Sequence, residues 1–110
     1  MTKKSNLAKV RGTQDILPVQ ALLYQKIQQI TQNILNKNGY QPIILPTYEY
    51  QELFNISVGE YTDIVQKEMF AFTDRKGRQL TLRPEGTASV VRLVCQNKLV
   101  QESYPLRLYY

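Results

Sequence analysis

The segment Arg83-Pro84-Glu85-Gly86-Thr87 places a carboxylate and a hydroxyl beside a proline and a glycine in one short loop. Proline fixes φ and removes a hydrogen-bond donor, so the chain leaves the preceding strand at a defined angle. Glycine lets the backbone bend sharply or lets a ligand approach it closely. A carboxylate held in such a loop can bind a cation, such as the ammonium of an amino acid. Such a charge-assisted hydrogen bond is worth about 1.5–3 kcal/mol.

A structural role explains the same residues equally well. Thr87 stands where a helix N-cap is expected, and its hydroxyl would accept a hydrogen bond from an otherwise unpaired amide. Glu85 precedes the same helix N-terminus, where a negative charge is favoured by about 0.3–1 kcal/mol. Both interpretations remain open from the residues alone.

Composition excludes several classes of site. The 110 residues are 43% hydrophobic and 21% charged, which is typical of one small globular domain. The chain has no histidine and one cysteine, Cys95, which excludes a Ser-His-Asp or Cys-His nucleophilic site and an internal disulfide. We predict no metal site. No apolar run approaches the roughly 20 residues of a membrane helix, and the N-terminus lacks a secretory signal.

Charge and glycine spacing indicate no phosphate-binding loop. The net charge of +5 is compatible with a nucleic-acid or phosphate partner, but the fourteen Lys and Arg residues are scattered. The glycines are too far apart for G-x-G-x-x-G, and the lone Lys-Gly pair runs in the wrong direction for a P-loop.

The elements around the loop can be predicted from periodicity. Residues 1–10 are expected to form a flexible tail, and residues 11–110 the domain. Apolar residues at steps of four, four, three and four predict an amphipathic helix from Val19 to Lys37. Gly39 is expected to adopt the left-handed conformation that ends it. The stripe consists of Val19, Leu23, Ile27, Ile30 and Ile34.

The run Ile43-Ile44-Leu45 predicts a strand covered on both faces. Pro42 and Pro46 bracket this run, so we expect the strand at a sheet edge or an interface. A short helix from Tyr50 to Asn55 and a loop through Gly59 should follow.

Residues 69–83 predict a β-hairpin with its turn at Asp74-Arg75-Lys76-Gly77. A helix from Ala88 to about Val100 and a strand over residues 104–110 complete the pattern. The order predicts an α+β fold with a largely antiparallel sheet flanked by helices. Because the sequence stops inside an apolar strand, we expect the front part of a longer protein. The alternative is that Tyr104–Tyr110 forms a complete terminal edge strand.

Four blocks of this sequence, in this order, resemble the N-terminal part of the class II aminoacyl-tRNA synthetases, specifically the histidyl-tRNA synthetase family. The blocks are "RGTQDILP", "GYQPIILPTYEYQELF", "KEMFAFTDRKGRQLTLRPEGTA" and "YPLRLYY". The block that begins at Gly39 is similar to class II motif 1, and the last block is similar to the approach to motif 2. Each block alone is weak, whereas the ordered set covers nearly all of residues 11–110.

The resemblance implies part of a class II catalytic core. That core activates histidine with ATP and Mg²⁺ to histidyl-adenylate, transfers it to tRNA-His and has no prosthetic group. Glu85, Gly86 and Thr87 match the family's histidine-binding loop, with Glu85 receiving the α-ammonium. The motif 1 block implies a homodimer interface that includes Gly39, Tyr40, Ile43, Ile44, Leu45 and Pro46.

Several parts of the family are missing from this sequence, among them motif 3, the loops that read the imidazole of histidine, and the anticodon-binding domain. The motif 2 arginine that contacts the α-phosphate follows the "RLYY" strand in the family and is not in this sequence, so no catalytic residue is assigned. We therefore expect the 110 residues to be inactive alone. Two alternatives remain: a synthetase-like regulatory subunit of histidine biosynthesis, and a non-catalytic dimerisation module. We expect the cytoplasm as compartment, or the plastid if the protein is plastid-encoded.

Overall fold

A computed structural model describes residues 7–57, 68–102 and 105–110. The chain divides into two compact units, Met1–Gly39 and Tyr40–Tyr110, which are described separately below. The helices are α1 (Pro18–Lys37), α2 (Gln51–Ser57), α3 (Thr87–Gln96) and α4 (Leu99–Glu102). The strands are β1 (Gln41–Pro42), β2 (Tyr48–Tyr50), β3 (Ala71–Thr73), β4 (Gln79–Leu82) and β5 (Leu108–Tyr109). The predicted α+β class is confirmed.

Helix α1 is the main element of the first unit, and its predicted range is confirmed to within one residue. It begins at Pro18, whose fixed φ suits the first helical position. Gly39 has φ +79°, the left-handed conformation predicted for it. The Asn38 side chain donates to the Ile34 carbonyl at 2.7 Å and satisfies one of the terminal acceptors. The predicted apolar stripe of α1 is exposed along its length.

The predicted hairpin is confirmed, and it lies in a three-stranded antiparallel sheet of order β2-β4-β3. Tyr48 pairs with Leu82, and Phe72 pairs with Leu80, so aromatic and aliphatic side chains share one face. In the turn, the amides of Lys76 and Arg78 donate to the Asp74 carboxylate at 3.0 and 2.9 Å.

These turn contacts also set the charge of the Asp74 side chain. The hydrogen bond from the Arg78 amide, together with those from the Arg78 guanidinium and the Lys76 amide, outweighs the opposing effect of desolvation. The pKa of Asp74 is therefore lowered. Gly77 closes the turn with φ +81°, which L-residues with a side chain rarely adopt.

The prediction for residues 43–45 is wrong. The hydrogen-bonded strand β1 ends at Pro42 and pairs in parallel with β5. The Ile43 amide still donates to the Tyr109 carbonyl at 2.8 Å, but the pairing reaches no further. Ile44 is 93% exposed and only Leu45 is buried, so the run is not covered on both faces. Strand β1, which ends just before this run, lies in a sheet that has two strands among the described residues.

The second predicted helix is α2, displaced by one residue at its start. The loop predicted through Gly59 lies outside the described residues. The helix predicted from Ala88 to Val100 is two helices, because Lys98 adopts φ +55° and interrupts the helical hydrogen bonds. Thr87 is not the N-cap. Gly86 holds that position and Thr87 is the first helical residue.

The core of the second unit lies where α2 packs on β4 and on α3. Phe54 of α2 is 1% exposed, and Thr81, Ala88 and Ser89 are also buried. Ala88 and Ser89 are small, so the backbone of α3 can approach its neighbours closely. The Ser89 hydroxyl has no hydrogen-bond partner among the described residues.

A buried ion pair ties α3 to β2. Glu49 is 7% exposed, and Arg92 Nη2 donates to its Oε1 at 2.9 Å. Arg92 Nε lies 2.8 Å from Oε2, but this N–H is not aligned on the acceptor and makes an ionic contact only. Arg92 Nη1 donates to Gln96 Oε1 at 2.8 Å. A buried carboxylate needs such a partner, since its desolvation is otherwise uncompensated.

We therefore predict that Arg92→Met lowers the free energy of unfolding of the chain by about 3 kcal/mol, because it leaves Glu49 buried without a counterion. Urea denaturation followed by circular dichroism measures this loss. The double variant Glu49→Gln/Arg92→Met should recover part of it, because a neutral amide replaces the unpaired charge. Arg75→Met, in the exposed hairpin turn, is the control and should change stability by no more than about 0.5 kcal/mol. A loss no larger in Arg92→Met than in this control would contradict the prediction.

Candidate functional site

The candidate loop, residues 83–86, joins the central strand β4 to the N-terminus of α3. The Arg83 amide donates to the Thr47 carbonyl at 3.1 Å, which extends the β2–β4 pairing by one hydrogen bond. Pro84 follows and has no amide to donate. The start of the loop is therefore fixed to the sheet and its end is fixed to a helix.

The Glu85 carboxylate is bound to the first amides of α3. The Thr87 amide donates to Oε2 at 2.6 Å, and the Ala88 amide donates to Oε1 at 3.2 Å. These donors belong to the four that a helix N-terminus leaves unpaired. Glu85 thus supplies the cap that sequence reasoning assigned to Thr87.

The same contacts keep the carboxylate ionised. Partial desolvation raises the pKa of Glu85, but hydrogen bonds from the Thr87 amide, the Thr87 hydroxyl and the Ala88 amide outweigh it. The pKa of Glu85 therefore lies below its ordinary value. Near neutral pH the loop carries a negative charge of fixed position at its exposed surface.

Gly86 is buried although both of its neighbours are exposed. Its φ of −95° and ψ of −18° are open to any L-residue, so its conformation does not require glycine. The space around it does require glycine. A Cβ at this position would clash with the Tyr110 side chain, because it would lie 2.3 Å from Cζ and from the hydroxyl oxygen.

Arg83 and Tyr110 flank this glycine, and sequence reasoning did not place them in the site. The Arg83 guanidinium carbon lies 5.9 Å from the centroid of the Tyr110 ring, within cation–π range. Tyr110 directly follows β5, whose residue Tyr109 accepts a hydrogen bond from Ile43. No sequence periodicity relates the "RPEGT" loop to the "RLYY" strand, so only the fold reveals their contact.

The structure brings Glu85, Gly86 and Thr87 together at one helix N-terminus, with Glu85 and Thr87 exposed. Of the residues predicted at a dimer interface, Gly39 ends the first unit and the others begin the second. Tyr40, Ile44 and Pro46 are exposed, Ile43 is half-buried and Leu45 is buried.

A concavity of about 260 Å³ lies beside strands β2 and β4. Glu85 is not among the described residues that line it, which are Tyr48, Glu49, Tyr50, Arg78 and Leu80. In the described ranges, no three acidic, cysteine or histidine side chains cluster as metal ligands would. No helix within those ranges has the length and hydropathy of a membrane span.

Comparison with known proteins gives the site its context. A family model described as histidyl-tRNA synthetase matches residues 12–110. The histidine–tRNA ligase of Anoxybacillus flavithermus is 54% identical over 101 residues, which cover 91% of this chain and 24% of that protein. The chain therefore spans about a quarter of the length of this curated relative.

Solved structures agree with the sequence match. Apo histidyl-tRNA synthetase from S. aureus is 34% identical, with a TM-score of 0.75 over 94% of this chain and 24% of that one. A protein from Bacillus halodurans C, described as an ATP phosphoribosyltransferase regulatory subunit/histidyl-tRNA synthetase, is 32% identical. Its TM-score is 0.78, over 98% of this chain and 27% of that one. Because the family model matches nearly the whole length of the chain, the chain belongs to the histidyl-tRNA synthetase family.

Proposed function

We propose that this chain is the N-terminal part of a histidine–tRNA ligase and that its residues 85–87 bind the amino group of histidine. One observation carries the proposal: the Glu85 carboxylate is exposed, ionised and fixed by two backbone hydrogen bonds. A fixed anion binds an ammonium at a smaller entropic cost than a mobile side chain does. The "RPEGT" loop thus combines the charge and the rigidity that an amino-acid site needs.

The capping role and the ligand role are compatible. An ionised carboxylate offers about four lone-pair sites. The amides of Thr87 and Ala88 each use one, on different oxygens, and the Thr87 hydroxyl uses a third, so one site remains for another donor. The Thr87 hydroxyl donates its proton to the carboxylate, and its oxygen remains an acceptor for the ammonium of the same ligand.

The proposed reaction is the one that family membership implies. The histidine carboxylate attacks the α-phosphorus of ATP, held with Mg²⁺, to form an acyl phosphate bond and release pyrophosphate. The acyl group then passes to the 3′ end of tRNA-His and AMP leaves. No protein nucleophile is required, because positioning and charge stabilisation supply most of the rate enhancement. This chain contributes the hold on the ammonium, while the phosphate contacts belong to the segment that follows "RLYY" in the family.

A homodimer is part of the proposal. Ile44 is a large aliphatic residue that is 93% exposed, between two prolines, in the block that resembles motif 1. Exposed apolar residues of this kind become buried at obligate interfaces. We propose the cytoplasm as compartment, with the plastid as the alternative.

A regulatory subunit of histidine biosynthesis is the second candidate, favoured by the likeness to the Bacillus halodurans C protein, whose description includes a regulatory subunit. The chain keeps both Glu85 and Gly86, at which such regulatory proteins tend to depart from "RPEGT". Histidine binding alone does not distinguish the two candidates, because a regulatory subunit of histidine biosynthesis is also expected to bind histidine. A motif 2 arginine and a histidine-reading loop after residue 110 in the longer protein would support the ligase. A non-catalytic dimerisation module would bind no histidine.

We predict that Glu85→Gln weakens histidine binding by the full-length protein by about 2–5 kcal/mol, because the ammonium of the ligand loses its charged partner. Isothermal titration of the full-length protein with histidine measures this change. Glu52→Gln is the matched control, since Glu52, like Glu85, is an exposed carboxylate close to a helix N-terminus. Equal affinity in the Glu85 and Glu52 variants would remove Glu85 from the site.

We also predict a pH-dependent contribution of Glu85 to stability. Because its pKa is depressed in the folded state, its stabilising effect is complete above the pKa of the unfolded state, about 4.3, and disappears as the pH falls through the lower folded-state pKa. The difference in Tm between the wild-type chain and Glu85→Gln should therefore be constant from pH 7 to 5 and shrink below about pH 4. A difference that stays constant down to pH 2 would show that the carboxylate does not bind the helix amides as an anion.

The 110-residue chain should give no ATP–pyrophosphate exchange with histidine, because the sequence contains no segment that matches the arginine of motif 2. The assay uses radiolabelled pyrophosphate, and a complete histidine–tRNA ligase serves as the positive control. Turnover above the level without histidine would show that an arginine within this chain takes the phosphate role.

A further inference from the structure

The tightest packing around Gly86 is against a residue from a different sheet. Gly86 follows β4 of the three-stranded sheet, whereas Tyr110 follows β5 of the two-stranded sheet. The absent Cβ of Gly86 would lie 2.3 Å from Tyr110 Cζ and 2.6 Å from Cε2. The tyrosine ring therefore lies directly against the Gly86 backbone and covers it, which explains why Gly86 is buried between two exposed residues.

The ring is itself held from two sides. The hydrogen bond from the Ile43 amide to the Tyr109 carbonyl, 2.8 Å long, anchors the backbone just before Tyr110. The Arg83 guanidinium lies 5.9 Å from the ring centroid and supplies a cation at its face. Arg83 in turn belongs to the loop, and its amide is bonded to Thr47. The ring thus contacts the loop at two residues, one on each side of Pro84 and Glu85.

These contacts restrict the loop where the helix-capping bonds do not. Hydrogen bonds fix the carboxylate of Glu85 relative to α3, and the Arg83 amide fixes the start of the loop relative to the sheet. Between these points, the Gly86 carbonyl accepts a hydrogen bond from the Val90 amide at 3.0 Å, and the Tyr110 ring packs against the Gly86 Cα. Without the ring, Gly86 would keep the hydrogen bond to α3 but lose its packing contact, and glycine has a wide range of backbone conformations open to it.

We propose that Tyr110 is a positioning residue for the amino-acid site: its ring holds Gly86 and thereby fixes the Glu85 carboxylate in the orientation that receives an ammonium. The ligand-binding part of this inference rests on the proposed function, but the positioning of the loop does not. Tyr110 acts through Gly86 and is not assigned a contact with the ligand.

The first test is spectroscopic and needs no ligand. A ring current displaces the resonances of nearby protons, upfield above the ring face and downfield beside its edge. The Gly86 α-protons should have the same chemical shifts in the wild-type chain and in Tyr110→Phe, and clearly different shifts in Tyr110→Ala. Tyr24→Ala, which removes an exposed tyrosine of α1, is the control and should leave the wild-type shifts unchanged. Gly86 α-proton shifts that are the same in Tyr110→Ala and in the wild-type chain would overturn the proposal.

The second test separates positioning from a general loss of stability. In Tyr110→Ala the histidine dissociation constant should rise at least fivefold, whereas Tyr110→Phe should stay within twofold of wild type. Far-ultraviolet circular dichroism establishes that both variants are folded. A folded Tyr110→Ala chain that binds histidine as tightly as wild type would overturn the proposal.

The two proposals fail in different ways. If the full-length protein binds no histidine, the proposed function fails, and the Glu85 side-chain carboxyl resonance replaces affinity as the measurement. Its titration midpoint should move toward the ordinary value in Tyr110→Ala and stay at the wild-type position in Tyr110→Phe. A midpoint that is the same in all three chains would overturn the positioning role.

Discussion

The hydrogen bonds that the first amides of α3 donate to the Glu85 carboxylate are the constraint on which the candidate site depends. A helix N-terminus leaves four amides unpaired and carries a partial positive charge. A carboxylate at this place satisfies two of the amides and remains ionised. The loop therefore holds a negative charge whose position is more restricted than that of an ordinary exposed glutamate. The structural and functional interpretations of the loop are therefore not rivals, since the cap is what orients the charge.

The elements on both sides of the loop are fixed by contacts of different kinds. Strand β4 is the central strand of its sheet and is paired on both edges, so the loop leaves from a well-supported position. Helix α3 is held by small buried residues at its start and by the ion pair of Arg92 with Glu49 of β2. A buried ion pair contributes little net stability against an apolar alternative, but separating its partners leaves an uncompensated buried charge. We infer that its value here is to set the position of α3 relative to β2.

Sequence reasoning was successful where the information is local. The period of α1, the turn residues of the hairpin and the left-handed Gly39 each depend on neighbouring positions, and each was predicted. It failed where the decisive partner is distant. The parallel β1–β5 pairing, the Glu49–Arg92 ion pair and the Tyr110–Gly86 contact join segments that no short-range pattern relates. The wrong prediction for Ile43-Ile44-Leu45 has the same cause, because the end of strand β1 is set by where its distant partner β5 ends.

The identity of residue 86 connects these distant contacts to the charge in the loop. Serine, threonine, asparagine and aspartate are common at an N-cap because the side chain pairs with the helix amides. Tyr110 excludes any side chain at position 86, so the N-cap residue cannot cap for itself. The preceding residue must supply the acceptor, and glutamate reaches the amides of Thr87 and Ala88 with both oxygens. The contact between Tyr110 and Gly86 thus transfers the capping role from residue 86 to Glu85, which has a longer, charged side chain. As a result, the helix is capped by an exposed carboxylate, although a hydroxyl would be enough for capping alone.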